Sequence, residues 1–165
     1  MKAFPWKKFG KDYWNNPLAS SLSVEFIGPA GPVAVEGMFD SGADSTELAY
    51  DLIPTLGIDL AKCAAMKVHG IWRPFTVVEA RLDNNVFDLP VAFTPDVQAD
   101  GETVNLFGRL GIIEHFRIGF KPDTRETEFE WLDGMTAPVV AQYDIWLVEW
   151  IEAHSGGFKD GVDYG

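Results

Sequence analysis

The sequence predicts a mainly-β domain with short helices, followed by a C-terminal helix. Short runs such as 22–26 (Leu-Ser-Val-Glu-Phe) alternate between apolar and polar residues, which is typical of strands with one buried face. Turns rich in Gly, Pro or Asn separate these runs at regular spacing. Between 139 and 153, apolar residues recur every three or four positions, which predicts an amphipathic helix. A chain of 165 residues is long enough for one such domain.

The elements are predicted in order from the N-terminus. Residues 1–19 show no periodicity and predict an irregular arm, and the next runs, 22–26 and 33–39, predict a β-hairpin around a Gly- and Pro-rich turn. We place the main domain at 20–134 and a helical extension at 135–165. The other predicted elements are a helix over 47–56, a hairpin over 66–75 with His69-Gly70 at its tip, a hairpin formed by 76–82 and 86–93, a surface loop over 95–102, a strand over 104–107, a helical turn over 112–116, and strands over 117–120 and 127–131.

Composition argues against several classes of function. The chain has 13 Lys and Arg against 25 Asp and Glu, a net charge of −12, which disfavours binding to the phosphates of nucleic acid. No apolar run is long enough to cross a bilayer, and no signal peptide is evident, so we expect a cytoplasmic protein without a membrane partner. The single cysteine, Cys63, is predicted to be a packing residue. The histidines are far apart in sequence, so we expect neither a metal nor another cofactor.

One segment contains the residues that predict a catalytic function. In Asp40-Ser41-Gly42-Ala43 a carboxylate follows an apolar strand directly and enters a tight turn. Gly42 lets the backbone turn and approach a ligand closely, and the Ser41 hydroxyl can hydrogen-bond a carboxylate or the neighbouring backbone. Acid–base hydrolysis by paired carboxylates needs such an arrangement. The alternative is that Asp40 lies in a turn and caps the following helix.

This segment resembles the Asp-Thr/Ser-Gly-Ala signature of the retroviral-type (retropepsin-like) aspartic proteases. Further along the chain, Asn105-Leu106-Phe107-Gly108-Arg109 resembles the hydrophobic-hydrophobic-Gly-Arg motif of that family. The two motifs occur in the family's order, and the resemblance covers roughly residues 20–131. It implies a retropepsin-like acid-protease fold, which is a small closed β-barrel with short helices, here with a C-terminal helical extension.

The resemblance also implies roles for the matching residues. Asp40 would be the catalytic carboxylate, Ser41 would bond across a dimer to the facing loop, and Gly42 would lie against the substrate backbone. Ala43 and Asp44 would contact the substrate from the same loop. The residues matching the mobile flap over the substrate are His69, Gly70, Ile71 and Trp72.

Two further positions are implied to support the active-site loop. Asp44 and Arg109 would form an ion pair beneath it, costly to break if buried. Gly108 would allow the loop to cross the downstream strand closely. The flap departs from viral members, because it carries one glycine where they carry several. Trp72 could close over the peptide instead.

The number of carboxylates predicts the assembly. Two aspartates must share one proton around a water, because carboxylates about 3 Å apart repel by about 5–6 kcal/mol at an effective dielectric near 20. This chain has one Asp-Ser/Thr-Gly, so the second aspartate must come from another copy, in a two-fold homodimer. The sequence thus predicts a homodimeric aspartic endopeptidase acting on peptide or protein substrates. The alternative is a catalytically silent dimer that binds peptides or serves as a scaffold. The C-terminal helix could pack across the dimer interface.

Overall fold

The computed structural model describes residues 1–9, 18–95, 98–99, 102–133 and 137–159, with the backbone alone at 98–99, 102–103 and 137–141. The chain is mainly β with a C-terminal helix, as the sequence predicts. The strands are β1 (Lys2–Pro5), β2 (Ser21–Gly28), β3 (Gly31–Phe39), β4 (Thr46–Ala49), β5 (Ala64–Val68), β6 (Ile71–Leu82), β7 (Asn85–Thr94), β8 (Gln98–Ala99), β9 (Glu102–Thr103), β10 (Leu106–Phe107), β11 (Phe116–Lys121) and β12 (Glu126–Trp131). The helices are α1 (Leu52–Thr55), a single 3-10 turn at Leu60–Lys62, and α2 (Ala137–His154).

Six strands close into a small barrel. They are neighbours in the order β2-β3-β10-β4-β7-β6, and β6 also pairs with β2 through Glu25 with Arg81 and Phe26 with Ala80. The closed barrel predicted from the sequence is therefore confirmed. Strand β5 pairs only with β6 among the described strands, so the β5–β6 hairpin extends beyond the closed ring. The largest fully buried side chains of the barrel core include Phe26, Phe93, Phe107, Leu22, Leu48 and Leu89.

The three predicted hairpins are confirmed, and local turn chemistry explains them. Asp83 and Asn84 connect β6 to β7 with φ values of 49° and 64°, and His69 and Gly70 connect β5 to β6 with φ values of 49° and 81°. Two consecutive residues with positive φ are the signature of the type I′ turn, whose twist matches that of paired strands. Between β2 and β3, Gly28 pairs with Gly31 across a two-residue turn.

The helix predicted over 47–56 is mostly wrong. Thr46–Ala49 is strand β4, which pairs parallel with β7 and, at Glu47, antiparallel with β10, and helical structure is confined to Leu52–Thr55. Partners distant in sequence satisfy the backbone of β4, so tertiary pairing overrides the local helical pattern. All four residues of β4 are buried, as befits a strand with neighbours on both sides.

The prediction of an irregular arm over 1–19 is wrong at its start. Strand β1 pairs antiparallel with β12, and with β11 these strands form a second, three-stranded sheet. The Phe4 ring meets the buried Phe129 ring edge-on, with centroids 5.9 Å apart, so packing holds this edge strand in place. Residues 10–17 of the arm lie outside the described residues. The domain boundaries at 20–134 and 135–165 stay a prediction.

The remaining predicted elements lie between residues 95 and 131, and the structure agrees with some of them and differs from others. The helical turn predicted over 112–116 is a run of hydrogen-bonded turns, in which the Phe116 amide donates to the Ile112 carbonyl at 2.9 Å. The strand predicted over 104–107 is confined to β10, while those over 117–120 and 127–131 form as β11 and β12. The described part of the predicted loop 95–102 includes β8, which pairs with β9, and the rest lies outside the described residues.

Helix α2 packs on its own chain, against the base of the β5–β6 hairpin. Leu147 and Ile151 are buried with Ala64 and Phe75, and the Trp150 ring meets the Phe75 ring edge-on at 6.0 Å. Trp146, one turn before Trp150 on the same helix, is 55% exposed. Within the described residues, no helix has the length and apolarity that crossing a bilayer requires.

A buried histidine joins α2 to the barrel. His115 lies in the turns after β10, where its Nδ1 is 2.8 Å from the Gly111 carbonyl and its Nε2 is 3.2 Å from the Asp144 carboxylate of α2. The Gly111 carbonyl can only accept a hydrogen bond, so Nδ1 of His115 donates to it. The ring also stacks on Trp131 at 5.7 Å. This contact fixes the helix relative to the segment that follows Gly108.

We expect Leu147→Ala to lower the free energy of unfolding by about 2–5 kcal/mol, because Leu147 is 2% exposed and its loss leaves a cavity under the hairpin. Ile145→Ala, on the same helix at a side chain 59% exposed, is the control and should change stability little. Urea unfolding followed by far-UV circular dichroism measures both. Equal effects of the two substitutions would contradict the packing of α2 described above.

Candidate active site

Asp40 lies where β3 ends beside β10. The Asp40 amide donates to the Phe107 carbonyl at 2.9 Å, which continues the parallel pairing of the two strands by one residue. The chain then turns: the Ala43 amide donates to the Asp40 carbonyl at 3.1 Å, and the Gly42 amide donates to the Asp40 carboxylate at 2.8 Å. The barrel thus fixes the backbone of Asp40, while Ser41 and Gly42 remain exposed to solvent.

The loop after Asp40 crosses the segment after β10 at very short range. The Arg109 amide donates to the Ala43 carbonyl and the Leu110 amide to the Asp44 carbonyl, both at 2.9 Å. A β-carbon on Gly108 would lie 2.8 Å from the Ser45 amide nitrogen and closer still to the Ser45 carbonyl. Only glycine fits at this crossing.

The carboxylate of Asp44 accepts a hydrogen bond from the Arg109 guanidinium. The pair lies at the surface, because the side chains of Asp44 and Arg109 are 89% and 47% exposed. An exposed pair of this kind contributes about 0–1 kcal/mol, so the backbone bonds at the crossing, rather than this ion pair, hold the loop. A groove of about 240 Å³ runs beside it, and its walls are formed by Asp44, Ser45, Met66, Arg109, Leu110 and Glu114.

The β5–β6 hairpin corresponds to the predicted flap. Its tip, His69-Gly70, is exposed, and Ile71 follows with 51% of its side chain exposed. Trp72 is half-buried, with the Lys67 ammonium 5.9 Å from the centre of its ring. The hairpin tip reaches back to the barrel, because the Nε2 atom of His69 lies 3.4 Å from the carboxylate of Glu47.

Glu47 is the residue of this region that the sequence analysis missed. It lies in β4 and is buried, yet it is a carboxylate. Burial raises its pKa, the nearby Asp40 charge raises it further, and His69 and Arg73 act in the opposite direction. The alternation of polar and apolar residues in Thr46-Glu47-Leu48-Ala49 is consistent with a strand. A run of only four residues is equally consistent with the start of a helix, so the sequence does not decide between them.

The structure therefore brings together part of the predicted site. Residues 40–44 form one loop, Arg109 contacts it through Asp44, and Gly108 lies at its crossing with the downstream segment. His69 approaches the same region through Glu47, and Gly70, Ile71 and Trp72 follow it in the β5–β6 hairpin.

Other chemistry has little support in the described residues. Among them, no three His, Cys, Asp or Glu side chains converge in a way that could hold a metal ion. Cys63 is buried, and burial raises the pKa of its thiol to about 11, so the thiolate is scarce near neutral pH. This fits its predicted role in packing.

We expect Gly108→Ala to destabilise the fold by about 1–3 kcal/mol or more, because the added methyl overlaps the Ser45 backbone, which cannot move aside as a side chain would. Gly156→Ala is the matched control, since a β-carbon there meets no atom within 4 Å. Thermal and urea unfolding of both variants measure the difference. Wild-type stability in Gly108→Ala would contradict the close crossing.

We expect stability to depend on pH through Glu47. Because the folded-state pKa is raised above the ordinary value of 4.5, the folded chain binds a proton that the unfolded chain has released, and stability falls as the pH rises through this window. Glu47→Gln removes the titration, so the variant should lose less stability than wild type between about pH 5 and about pH 7.5. Urea unfolding at both pH values measures the difference. An identical pH dependence in the two proteins would contradict a buried, ionising Glu47.

No protein-family model and no curated protein matches the sequence. Solved structures similar to the chain include a retropepsin-like aspartic protease from Rickettsia conorii, with 15% identity, a TM-score of 0.47, and coverage of 78% of this chain and 96% of that one. A second is EIAV protease in complex with an inhibitor, with 17% identity, a TM-score of 0.40, and coverage of 55% of this chain and 82% of that one. A third is a protein of unknown function from Legionella pneumophila subsp. pneumophila, with 16% identity, a TM-score of 0.36, and coverage of 58% of this chain and 84% of that one. The closed barrel, with Asp40 at the β3–β10 junction and Gly108 at the crossing, gives this chain the retropepsin-like fold that its two motifs predict.

Proposed function

We propose that the protein is a homodimeric aspartic endopeptidase in which the Asp40 carboxylates of two copies activate one water molecule. The observation that carries the proposal is the position of Asp40, at the end of a barrel strand and in a turn whose next two residues are exposed. The barrel fixes the backbone of this carboxylate, and fixed geometry is what proton transfer to and from a substrate requires.

The dimer follows from the number of carboxylates in the loop. One copy supplies one Asp40, and hydrolysis by this route needs two that share a proton. The exposed Ser41 and Gly42 leave this loop accessible to a second copy. Two identical loops then face each other across a two-fold axis, the commonest symmetry of homo-oligomers.

The reaction uses the two carboxylates in different protonation states. The ionised Asp40 takes a proton from the water, whose oxygen attacks the peptide carbonyl, while the protonated Asp40 of the other copy donates to the carbonyl oxygen. Collapse of the resulting diol breaks the C–N bond as a proton passes to the amine, and the pair again holds one proton. No metal or other cofactor is needed for this balance.

The hairpin whose tip contacts Glu47 supports a peptide as the substrate. The side chain of His69 at this tip contacts Glu47. Glu47 in turn is close enough to Asp40 for the charges of the two carboxylates to interact. A chain lying between the barrel and the hairpin would be shielded from water on one side, which strengthens the electrostatic contacts of the reacting groups. A silent peptide-binding module would bind a peptide at the same site, and the following substitution separates the two functions.

We expect Asp40→Asn to lower peptide cleavage by about 10²- to 10⁴-fold or to background, because the amide can neither take nor give the required proton. The matched control is Asp51→Asn, on an exposed carboxylate whose side chain makes no capping bond to α1, and it should cleave as wild type does. The assay is mass-spectrometric detection of products from a peptide library between about pH 4 and about pH 7. Cleavage that survives in Asp40→Asn would refute the proposed enzyme.

The same variant tests whether the site is shared. When one part of wild type is equilibrated with nine parts of Asp40→Asn, most wild-type chains pair with an inactive copy, so activity per wild-type chain should fall about tenfold. Analytical ultracentrifugation measures the dimer in the same samples. Undiminished activity in a mixture whose subunits exchange, or full activity in a monomer, would contradict the shared site.

A further inference from the structure

Glu47 is a buried carboxylate that the proposed reaction does not use. Thr46 and Leu48, its neighbours in β4, point into the barrel: the Thr46 hydroxyl accepts a hydrogen bond from the Gly108 amide at 3.3 Å, and Leu48 belongs to the main core. Side chains alternate along a strand, so Glu47 lies on the opposite face, toward the hairpin tip. The charge of Asp40 acts on the same carboxyl group.

The side chain of His69, which contacts Glu47, belongs to a segment that a substrate would displace. Only 6% of Glu47 is exposed, and a buried carboxylate is costly unless a cation or hydrogen-bond donor accompanies it. His69 supplies the contact at 3.4 Å, but its own side chain is 84% exposed at the tip of a two-residue turn. A peptide that enters between β4 and the tip separates the two groups.

Arg73 is the other positive group that acts on Glu47. It lies in β6, farther from the tip than His69, and favours the ionised carboxylate through its charge. Asp40 acts in the opposite sense, and in the proposed dimer the carboxylates of both copies would add to the negative potential. Once His69 moves away, a positive side chain on the substrate restores the lost partner.

The geometry points to Glu47 as a specificity-determining residue of the proposed protease: its carboxylate binds the cationic side chain of a substrate Lys or Arg close to the scissile bond, in the place that His69 occupies in the free protein. This inference rests on the proposed function. The two-fold dimer provides one Glu47 on each side of the cut. His69 is then the competitor of the substrate cation, and opening of the hairpin exposes the carboxylate.

The preference should depend on pH in a defined direction. Burial raises the pKa of Glu47, so acidification neutralises this carboxyl earlier than an exposed one. A neutral carboxyl attracts a cation no more than it attracts a polar side chain. The preference for Lys over an uncharged residue should therefore be larger near pH 7 than near pH 4.5.

The test uses matched peptides, identified from the library cleavage, in which one residue near the cut is Lys or its uncharged analogue norleucine. For wild type we expect kcat/KM to be about tenfold higher with Lys, which corresponds to about 1.4 kcal/mol. In Glu47→Gln this ratio should fall to about one, because the amide carries no charge. Glu149→Gln, on an exposed residue of α2, should keep the wild-type ratio. His69→Ala should lower KM for the Lys peptide, since the competing imidazole is removed.

The outcomes separate this inference from the proposed function. If wild type cleaves but shows no preference for Lys at any position, or if Glu47→Gln keeps the preference, the role of Glu47 is refuted while the protease stands. If wild type cleaves nothing, the protease is refuted, and a binding measurement that needs no cleavage tests Glu47 by itself: fluorescence anisotropy with Asp40→Asn and labelled peptides from the library that differ only in carrying Lys or norleucine at one position. Tighter binding of the Lys peptide that is lost in the Asp40→Asn, Glu47→Gln double variant would support it. Equal binding of both peptides would refute it.

Discussion

The close crossing of the Asp40 loop and the segment after β10 is the contact on which the rest of the site depends. Backbone amides of 109 and 110 bond to carbonyls of the loop, and the absence of a side chain at Gly108 lets the two chains touch. The position of Asp40 is thus set by main-chain geometry inside a closed barrel, with little contribution from the exposed Asp44–Arg109 pair. A carboxylate held in this way keeps its place when neighbouring side chains move.

The crossing is also connected to the hairpin through the C-terminal helix. The turns that follow Arg109 lead to His115, which contacts Asp144 of α2, and α2 in turn covers Phe75 at the base of the hairpin. Packed interiors transmit displacements because they leave few voids. The helix that the sequence predicts as an addition is therefore part of the support of both the loop and the hairpin, within one copy.

The parts of the fold that the sequence predicts are those with local causes. The hairpin tips at His69-Gly70 and Asp83-Asn84 follow from residues that tolerate positive φ, and the two motifs locate Asp40 and Gly108. Strands β1 and β4 were missed because their partners, β12 and β7, are distant in sequence and no local pattern indicates the pairing. Because residues 46–49 were predicted as helix, Glu47 was not recognised as part of the site. Its side chain faces the hairpin tip only when these residues form a strand.

Glu47 changes the electrostatic description of the proposed active site. With Asp40 alone, a two-fold dimer places two carboxylates at its centre, and their repulsion is relieved by one shared proton. In the proposed dimer, the Glu47 residues of the two copies would bring the number of carboxylates near a bound peptide to four, and each chain carries a net charge of −12. One proton cannot neutralise this group, whereas a cation that enters with the substrate removes part of the repulsion at the moment of binding. In the proposed protease, the negative charge that retains the shared proton would therefore also favour a basic substrate residue, and the imidazole of His69 would occupy that position before the substrate binds.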